Sequence, residues 1–237
     1  FSRLRRNNEV LRSKPKLQRQ RKGLIHLIVA IDGPAASGKG TIAKKLAEYF
    51  NLSYLDTGIL YRAVALQMLT KGMNEKDSQS AEKVARQVSI DSIDHTGIRT
   101  RAVSDLASKI ATIPGVREEL LDRQRRFAQN PDPGKDGAIL DGRDIGTVVC
   151  PHADFKIFIM ADLEIRAKRR WKELLQSDPT VIYCEVLEEM RSRDERDTNR
   201  EDAPLVVTSD AMVIDTSNKS IDVSFNEAKN WILSRRF

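Results

Sequence analysis

The stretch Gly33-Pro-Ala-Ala-Ser-Gly-Lys39-Gly-Thr41 decides the fold. It follows an apolar run, residues 24–31, that we expect to be a strand, and it precedes an amphipathic helix predicted over residues 40–50. In this strand–loop–helix setting, backbone N–H groups surround a phosphate, the helix dipole favours its charge, and the lysine adds a mobile positive charge. We therefore expect ATP or GTP to bind at Gly33, Pro34, Ala35, Ala36, Ser37, Gly38, Lys39, Gly40 and Thr41.

The rest of the chain alternates short apolar runs with longer amphipathic stretches, which indicates strand–helix units in a parallel sheet. Further strands are predicted at residues 53–55, 138–140, 156–161 and 211–214. Further helices are predicted at residues 59–69, 103–113, 116–129, 163–176, 181–197 and 221–233. Residues 72–100 are polar and are expected to be an insertion with a small hairpin at residues 95–97. The predicted fold class is α/β: a three-layer P-loop NTPase fold with a five-stranded parallel sheet.

The charge of the chain is unevenly distributed. Of 237 residues with a formal charge of +6, residues 1–23 hold nine Lys or Arg and one acidic residue. We expect a flexible basic tail there, which also resembles a leader, and a globular domain over residues 24–237 that carries a charge of only −2. Such a balanced domain argues against a specific nucleic-acid partner. No apolar run reaches the roughly 20 residues of a membrane span, so we expect no membrane partner. Two cysteines are too few for a disulfide framework, which indicates a reducing compartment, and we expect the protein in the cytoplasm. We also expect a monomer, although neither observation bears on the number of subunits.

An aspartate follows each predicted strand: Asp32, Asp56, Asp141, Asp162 and Asp215. Because the carboxyl ends of parallel strands form the ligand crevice of an open sheet, these carboxylates are expected along one rim. Turn or helix-cap roles explain Asp32, Asp162 and Asp215. Asp56 and Asp141 lie beside other informative residues and are the candidate metal ligands, directly or through water.

Arginine-rich clusters follow several of these elements. They are LDTGILYR (residues 55–62), IPGVR (113–117), LDGRDIGT (140–147) and RDERDTNR (193–200). In a helix, Arg193, Asp197 and Arg200 share one face. A solvated, ion-paired face accounts for this cluster when it is taken alone. Together with Arg62 and Arg143, it forms a set of guanidinium groups suited to phosphate oxygens.

These clusters, in this order behind the phosphate loop, resemble bacterial-type cytidylate kinases over residues 24–233. The GKGT ending, with Gly40 where Ser or Thr usually follows the lysine, resembles nucleoside monophosphate kinases. The resemblance implies transfer of the γ-phosphoryl group of ATP to CMP or dCMP with Mg²⁺. It also implies an NMP-binding insertion at about residues 72–130, shorter than in some members, and a helical lid at about residues 166–200.

The resemblance further assigns roles to individual residues. It implies that Arg62, Arg143 and Arg200 bind the acceptor phosphate, that Arg193 and Asp197 hold the sugar, and that Ser108, Arg117 and Asp144 read the base. Thr57 and Tyr61 complete the predicted CMP site, Lys39, Arg143 and Arg200 are the predicted catalytic residues, and Arg169 of the lid is expected to bind ATP. For Arg169 and Arg170, an exposed basic helix face is an equally good interpretation.

Two other functions stay open. One is a kinase for another nucleoside monophosphate or a small hydroxyl acceptor, because the phosphate loop alone does not choose the acceptor. The other is a nucleic-acid-binding ATPase that uses the basic tail.

Overall fold

A computed structural model describes residues 26–89, 93 and 97–235. The basic segment 1–23 lies outside the described residues, and so do residues 95 and 96 of the predicted hairpin.

A parallel sheet of five strands forms the centre of the described chain, in the order β2-β3-β1-β4-β5. The strands are β1 (Leu27–Asp32), β2 (Ser53–Asp56), β3 (Gly137–Gly142), β4 (Phe155–Met160) and β5 (Met212–Asp215). All five correspond to the predicted apolar runs, so the predicted α/β fold is confirmed. β1 lies between β3 and β4, which places the phosphate loop at the middle of the carboxyl edge.

The helices of the described chain are α1 (Lys39–Phe50), α2 (Gly58–Thr70), α3 (Ser78–Gln87), α4 (Arg101–Ile110), α5 (Pro114–Gln129), α6 (Leu163–Leu174), α7 (Tyr183–Asn199) and α8 (Ile221–Arg235). A π-helical turn (Ile145–Val149) follows β3.

Alternating side chains of the strands build two cores. Val29 and Ile31 of β1 pack with α1 and α8 on one face of the sheet. Ala30 of β1 and Leu140 of β3 lie on the other face with α5 and the π-helical turn. This alternation, with a period of two residues, gives three layers, with the sheet between the helices.

Helices α2 to α5 form a further apolar cluster beside the sheet. Residues 72–100 were predicted to be a polar insertion without a helix. The structure corrects this prediction, because α3 lies within that segment. Asp77 caps this helix by accepting a hydrogen bond from the backbone N–H of Ser80, and Ala81, Val84 and Ala85 are buried. Their i, i+3, i+4 spacing gives one narrow apolar stripe, which is enough because only one face of α3 packs.

Helices α6 and α7 pack together in a separate small cluster that includes Ala35 and Ala36 of the phosphate loop. Arg166 of α6 strengthens this contact: its guanidinium donates to the backbone oxygen of Ala35 at 3.3 Å and to Asp194 of α7 at 2.6 Å. The predicted lid segment is thus joined to the phosphate loop. Among the described residues, no helix is both long enough and apolar enough to span a membrane.

Candidate active site

A cleft of about 330 Å³ lies at the carboxyl edge of the sheet. Most of the predicted site residues line it, from both the phosphate loop and the arginine clusters: Ala35, Ala36, Gly38, Lys39, Gly40, Thr41, Asp56, Thr57, Tyr61, Arg62, Ser108, Arg117, Asp141, Arg143, Asp144, Arg193, Asp197 and Arg200. Four predicted residues do not line this cleft. They are Gly33, Pro34 and Ser37 of the phosphate loop, and Arg169 of α6.

The phosphate loop depends on two glycines. A Cβ at Gly33 would lie 2.0 Å from the backbone oxygen of Ile159, so no larger residue fits beside β4. Gly38 has a φ of 89° immediately before α1, in the left-handed region that glycine tolerates best. The chain thereby turns sharply at the helix N-terminus, where backbone N–H groups are available for an anion.

Lys39 begins α1, and its Nζ donates to the backbone oxygen of Pro34 at 3.4 Å. Burial lowers the pKa of Lys39 to about 7, and the positive charge of Arg143 acts in the same direction, while Asp141 and Asp56 oppose the shift. A phosphate group near Lys39 would favour the charged form of its side chain.

Gly40 marks the departure from the usual phosphate-loop pattern, and its surroundings give a physical reason. A Cβ at this position would lie 3.2 Å from Oδ2 of Asp141 and 3.6 Å from the hydroxyl of Tyr54. That hydroxyl donates to Oδ2 of Asp141 at 2.6 Å. The tyrosine and the aspartate therefore occupy the space next to Gly40.

The two candidate metal ligands, Asp56 and Asp141, are aligned at the ends of the neighbouring strands β2 and β3. Burial raises the pKa of Asp141, and the charge of Asp56 adds to this effect. Burial alone would raise the pKa of Asp56 too, but Arg62, 2.6 Å away, and Lys39 lower it. Two carboxylates beside one cleft favour a cation. The described residues contain no cluster of three or more His, Cys, Asp or Glu able to hold a metal ion.

The predicted acceptor arginines converge on the cleft and are already paired with carboxylates. Nε of Arg143 lies 2.8 Å from Asp197, and Nε of Arg193 lies 3.9 Å from the same oxygen. Burial lowers the pKa of Arg193 to about 10, and the neighbouring Arg143 adds to that shift. Three buried guanidinium nitrogens have no hydrogen-bond partner in the described chain: Nε of Arg62, Nε of Arg193 and Nη2 of Arg200. Such donors are suited to the oxygens of an anion.

The predicted base-reading residues, Ser108, Arg117 and Asp144, line the same cleft. Arg117 of α5 donates from Nη2 to Oδ2 of Asp144. The second oxygen, Oδ1, lies 3.8 Å from Nη2 of Arg200. The hydroxyl of Ser108 is buried without a hydrogen-bond partner among the described residues. One carboxylate oxygen and one hydroxyl are therefore available to polar edges of a ligand.

Arg169 and Arg170 point to different places. The guanidinium of Arg169 donates to the hydroxyl of Thr216 at 3.0 Å and to its backbone oxygen at 2.7 Å. Thr216 in turn donates to the backbone oxygen of Ser37 at 2.8 Å. Arg169 is thus linked through Thr216 to the phosphate loop. Arg170 instead lines the cleft together with Glu173. The structure therefore does not place Arg169 with the predicted ATP-binding residues that line the cleft.

Sequence reasoning named Arg170 but did not single out nine other lining residues: Lys44, Tyr54, Gly58, Arg99, Ser104, Ala107, Ala111, Gly142 and Glu173. Four of them, Lys44, Gly58, Ser104 and Glu173, lie one turn from a predicted residue on the same helix. The helical period would have found Lys44, four residues after Gly40, and Ser104, four residues before Ser108. No local pattern identifies Arg99, which lies 3.6 Å from Asp56 across the cleft.

The remaining strand-end aspartates, Asp32, Asp162 and Asp215, differ in their contacts. Asp215 accepts from the backbone N–H of Ser217 at 2.8 Å, which confirms its turn role. Asp162 occupies the N-cap position of α6, although its side chain caps no backbone N–H. Asp32 contacts the turn after β3, through its two carboxylate oxygens.

Comparison with known proteins adds a family to this geometry. The family model described as cytidylate kinase matches residues 29–232. A cytidylate kinase of Paramagnetospirillum magneticum is 53% identical over 209 residues, which are 88% of this chain and 99% of that protein. A cytidylate kinase of Azorhizobium caulinodans is 50% identical over 85% of this chain and 96% of its own length. An uncharacterized protein from Eubacterium ventriosum, 16% identical, superposes with a TM-score of 0.51 over 89% of this chain and all of its own, which bears on the fold alone.

Proposed function

This chain belongs to the cytidylate kinase family, and we propose that it transfers the γ-phosphoryl group of ATP to CMP or dCMP, giving ADP and CDP or dCDP. One observation carries this proposal. The phosphate loop with Lys39 and the loop with Arg143 and Asp144 line the same cleft, so a donor and an acceptor nucleotide can meet there.

The chemical step needs no general base from the protein. The attacking group is a phosphate oxygen of the acceptor, which is ionised near neutral pH, so no proton has to be removed. Catalysis must come from alignment of the two nucleotides and from compensation of their negative charge. In this proposal Lys39 stabilises the transferring group, while Arg143 and Arg200 hold the attacking phosphate in line with it.

The acceptor phosphate is held by Arg62, Arg143 and Arg200, whose guanidinium groups line the cleft. The unpartnered nitrogens of Arg62 and Arg200 provide two of the donors. Asp197 accepts from Arg143 and has its pKa lowered, against the effect of burial, by Arg143 and Arg193. An ionised Asp197 accepts hydrogen bonds from sugar hydroxyls, and Arg193 beside it donates to them.

In this proposal, cytosine is distinguished from uracil by the hydrogen-bonding groups on the edge of the base. Its amino group is a donor where uracil has a carbonyl acceptor, so a carboxylate accepts from cytosine and repels uracil. Asp144 supplies that carboxylate, with Oδ1 left by the Arg117 pair. Ser108 and Arg117 donate to the ring acceptors, and Thr57 and Tyr61 form adjacent parts of the wall.

Mg²⁺ is the cofactor of this proposal. It prefers oxygen ligands and is often bound through one or two carboxylates together with phosphates and waters. Asp56 and Asp141 fit that demand, since their like charges lie side by side in the cleft. Bound with ATP, the ion would neutralise charge on the phosphates.

The described helices fit the division of the domain that we propose. The NMP-binding insertion, at about residues 72–130, contains α3, α4 and α5, and the lid, at about residues 166–200, contains most of α6 and α7. Arg170 of α6 donates to the hydroxyl of Ser104 on α4 at 3.4 Å, across the cleft. Closure at this contact would exclude water and limit hydrolysis of ATP. An ATP contact of Arg169 stays part of this proposal, and Arg170, which lines the cleft, is a second lid arginine that we propose contacts ATP.

We also propose that the enzyme acts as a monomer. The two free cysteines, Cys150 and Cys184, are compatible with the reducing environment of the cytoplasm.

A panel of acceptors tests the proposed function. Initial rates with ATP and CMP, dCMP, UMP, AMP or shikimate, each at several concentrations, give kcat/KM for each acceptor. We expect CMP and dCMP to give the highest values. A preference for AMP, UMP or shikimate would favour a kinase for another acceptor, and ATP hydrolysis without any transfer would contradict the proposal.

A further inference from the structure

Asp32 ends β1 directly before the phosphate loop, and its contacts lie with a different loop. Only 7% of the residue is exposed. Its Oδ1 accepts the backbone N–H of Ile145 at 2.8 Å, and its Oδ2 accepts the backbone N–H of Gly146 at 2.8 Å. Both oxygens of one buried carboxylate are therefore engaged by two successive amides.

These amides begin the π-helical turn (Ile145–Val149) that follows Arg143 and Asp144. On the other side of that pair, β3 lies in register with β1, with Asp32 opposite Gly142. The segment of two acceptor residues is thus anchored at both ends to the same residue of β1. Neither end can shift without breaking a ladder contact or a charged hydrogen bond.

The two residues between these anchors face different partners. Arg143 donates to Asp197 of α7 at 2.8 Å, whereas Asp144 accepts from Arg117 of α5. A small rotation of the backbone between them would move both side chains relative to the acceptor. Small errors of placement matter in phosphoryl transfer, since the catalytic effect is mainly one of alignment.

Use of a buried carboxylate to fix a turn carries a desolvation penalty. Burial raises the pKa of Asp32 to about 6, although the two amide hydrogen bonds lower it. A neutral side chain would avoid the desolvation penalty of the charge. A carboxylate, however, offers one oxygen to each amide, whereas an asparagine in the same orientation would turn its NH₂ group, which is a donor, towards one of the two N–H groups.

We propose that Asp32 is a positioning residue for the acceptor: it fixes the turn that directs Arg143 to the acceptor phosphate and Asp144 to the base. This inference rests on the proposed function of that pair. If Asp32 has this role, affinity for the acceptor and selectivity for its base both depend on Asp32. Affinity for ATP does not depend on Asp32, because both carboxylate oxygens of Asp32 accept from the loop that carries Arg143 and Asp144.

Asp32→Asn is the test, with Asp154→Asn as the matched control. Asp154 also accepts a backbone N–H of β1, that of Ile28 at 2.7 Å, but it is exposed and does not line the cleft. For each variant, KM is measured for CMP, UMP and ATP, and the melting temperature is recorded.

The expected result for Asp32→Asn is a KM for CMP raised about ten- to a hundredfold, the range for loss of a hydrogen bond to a charged group, and a smaller kcat/KM ratio of CMP to UMP. KM for ATP should stay within about twofold of the wild type, as should all constants of the Asp154→Asn enzyme.

Several results would overturn the inference. A raised KM for ATP with an unchanged KM for CMP would assign Asp32 to the phosphate loop instead. A lower melting temperature with unchanged constants would make it a purely structural residue. If Asp32→Asn does not fold, Asp32→Ser, which is smaller and keeps one acceptor oxygen, takes its place, and failure of both to fold would also overturn the inference. If the wild-type enzyme phosphorylated a different acceptor, the proposed function would fail, and KM for that acceptor would test Asp32 in the same way.

Discussion

Arg117 and Asp144 form an ion pair within the cleft, with only 11% and 10% of their side chains exposed. Arg117 belongs to α5, and Asp144 follows β3 in the sheet. The pair therefore joins the helical insertion to the sheet at the place where the base of the acceptor is proposed to bind. It leaves Oδ1 of Asp144, which lies 3.8 Å from Nη2 of Arg200, as the oxygen that we propose accepts from the base.

Replacement of Lys39 with alanine should remove most of the activity and leave the fold intact. Lys39 stabilises charge in the proposed transition state, and loss of one such group lowers kcat about a hundred- to a thousandfold. Lys45→Ala is a matched control, because Lys45 lies on the same helix but pairs with the exposed Asp222. Turnover numbers and thermal unfolding curves of both variants check this. Near-normal turnover of Lys39→Ala would refute the role.

Binding of ATP should be accompanied by uptake of protons at pH 8. The pKa of Lys39, lowered to about 7 in the ligand-free enzyme, leaves most of its side chain neutral at that pH. Phosphate charge raises this pKa, so a proton is taken up, and the affinity for ATP should fall as the pH rises above 7. Calorimetry in buffers with different ionisation enthalpies measures the uptake. Lys39→Met should show much less of it, and equal uptake in both proteins would assign the proton to another group.

Deletion of residues 1–23 should leave kcat/KM for CMP and the melting temperature nearly unchanged, because all residues proposed for the site come after that segment. Any binding of nucleic acid should be steeply salt-dependent and should vanish with the deletion. A large loss of activity or stability would instead show that the basic segment belongs to the domain.

The sequence was sufficient to predict the architecture, because the strands are short apolar runs and the phosphate loop has a specific order of glycines around Lys39. It was insufficient for α3, whose narrow apolar stripe consists of Ala81, Val84 and Ala85. Burial of that stripe depends on contacts with α2 and α5, which are distant in sequence from one another.

Most residues that line the cleft could be named from the sequence, because they fall within the phosphate loop and the arginine-rich clusters. The sequence could not show which partner each of these side chains contacts. The pairing of Arg117 with Asp144 joins residues 27 positions apart and depends on the fold. Arg169 and Arg170 differ by about 100° around one helix. Only the packing of that helix decides that Arg170 reaches the cleft while Arg169 turns to Thr216.

The stability of the protein should depend on pH through Asp32. Its folded-state pKa of about 6 lies above the ordinary value of 3.8. The folded state therefore holds this proton more tightly, and its contribution to stability is present at low pH and is lost as the pH rises to about 6. Relative to Asp32→Asn, the wild type should lose about 2 kcal/mol of unfolding free energy between pH 4.5 and 7.5. Urea unfolding at both pH values checks this, and a difference that does not vary with pH would contradict it.

Selection of cytosine by Asp144 is the central claim, and the ratio of kcat/KM for CMP to that for UMP measures it most directly. Asp144→Ala should shrink this ratio about ten- to a hundredfold, since a matched base-edge contact contributes roughly 1–3 kcal/mol to discrimination. Arg143→Ala is the matched comparison: a phosphate contact does not distinguish bases, so both substrates should lose activity alike and kcat should fall. Equal losses for CMP and UMP in Asp144→Ala, or a selective loss of CMP in Arg143→Ala, would contradict the account.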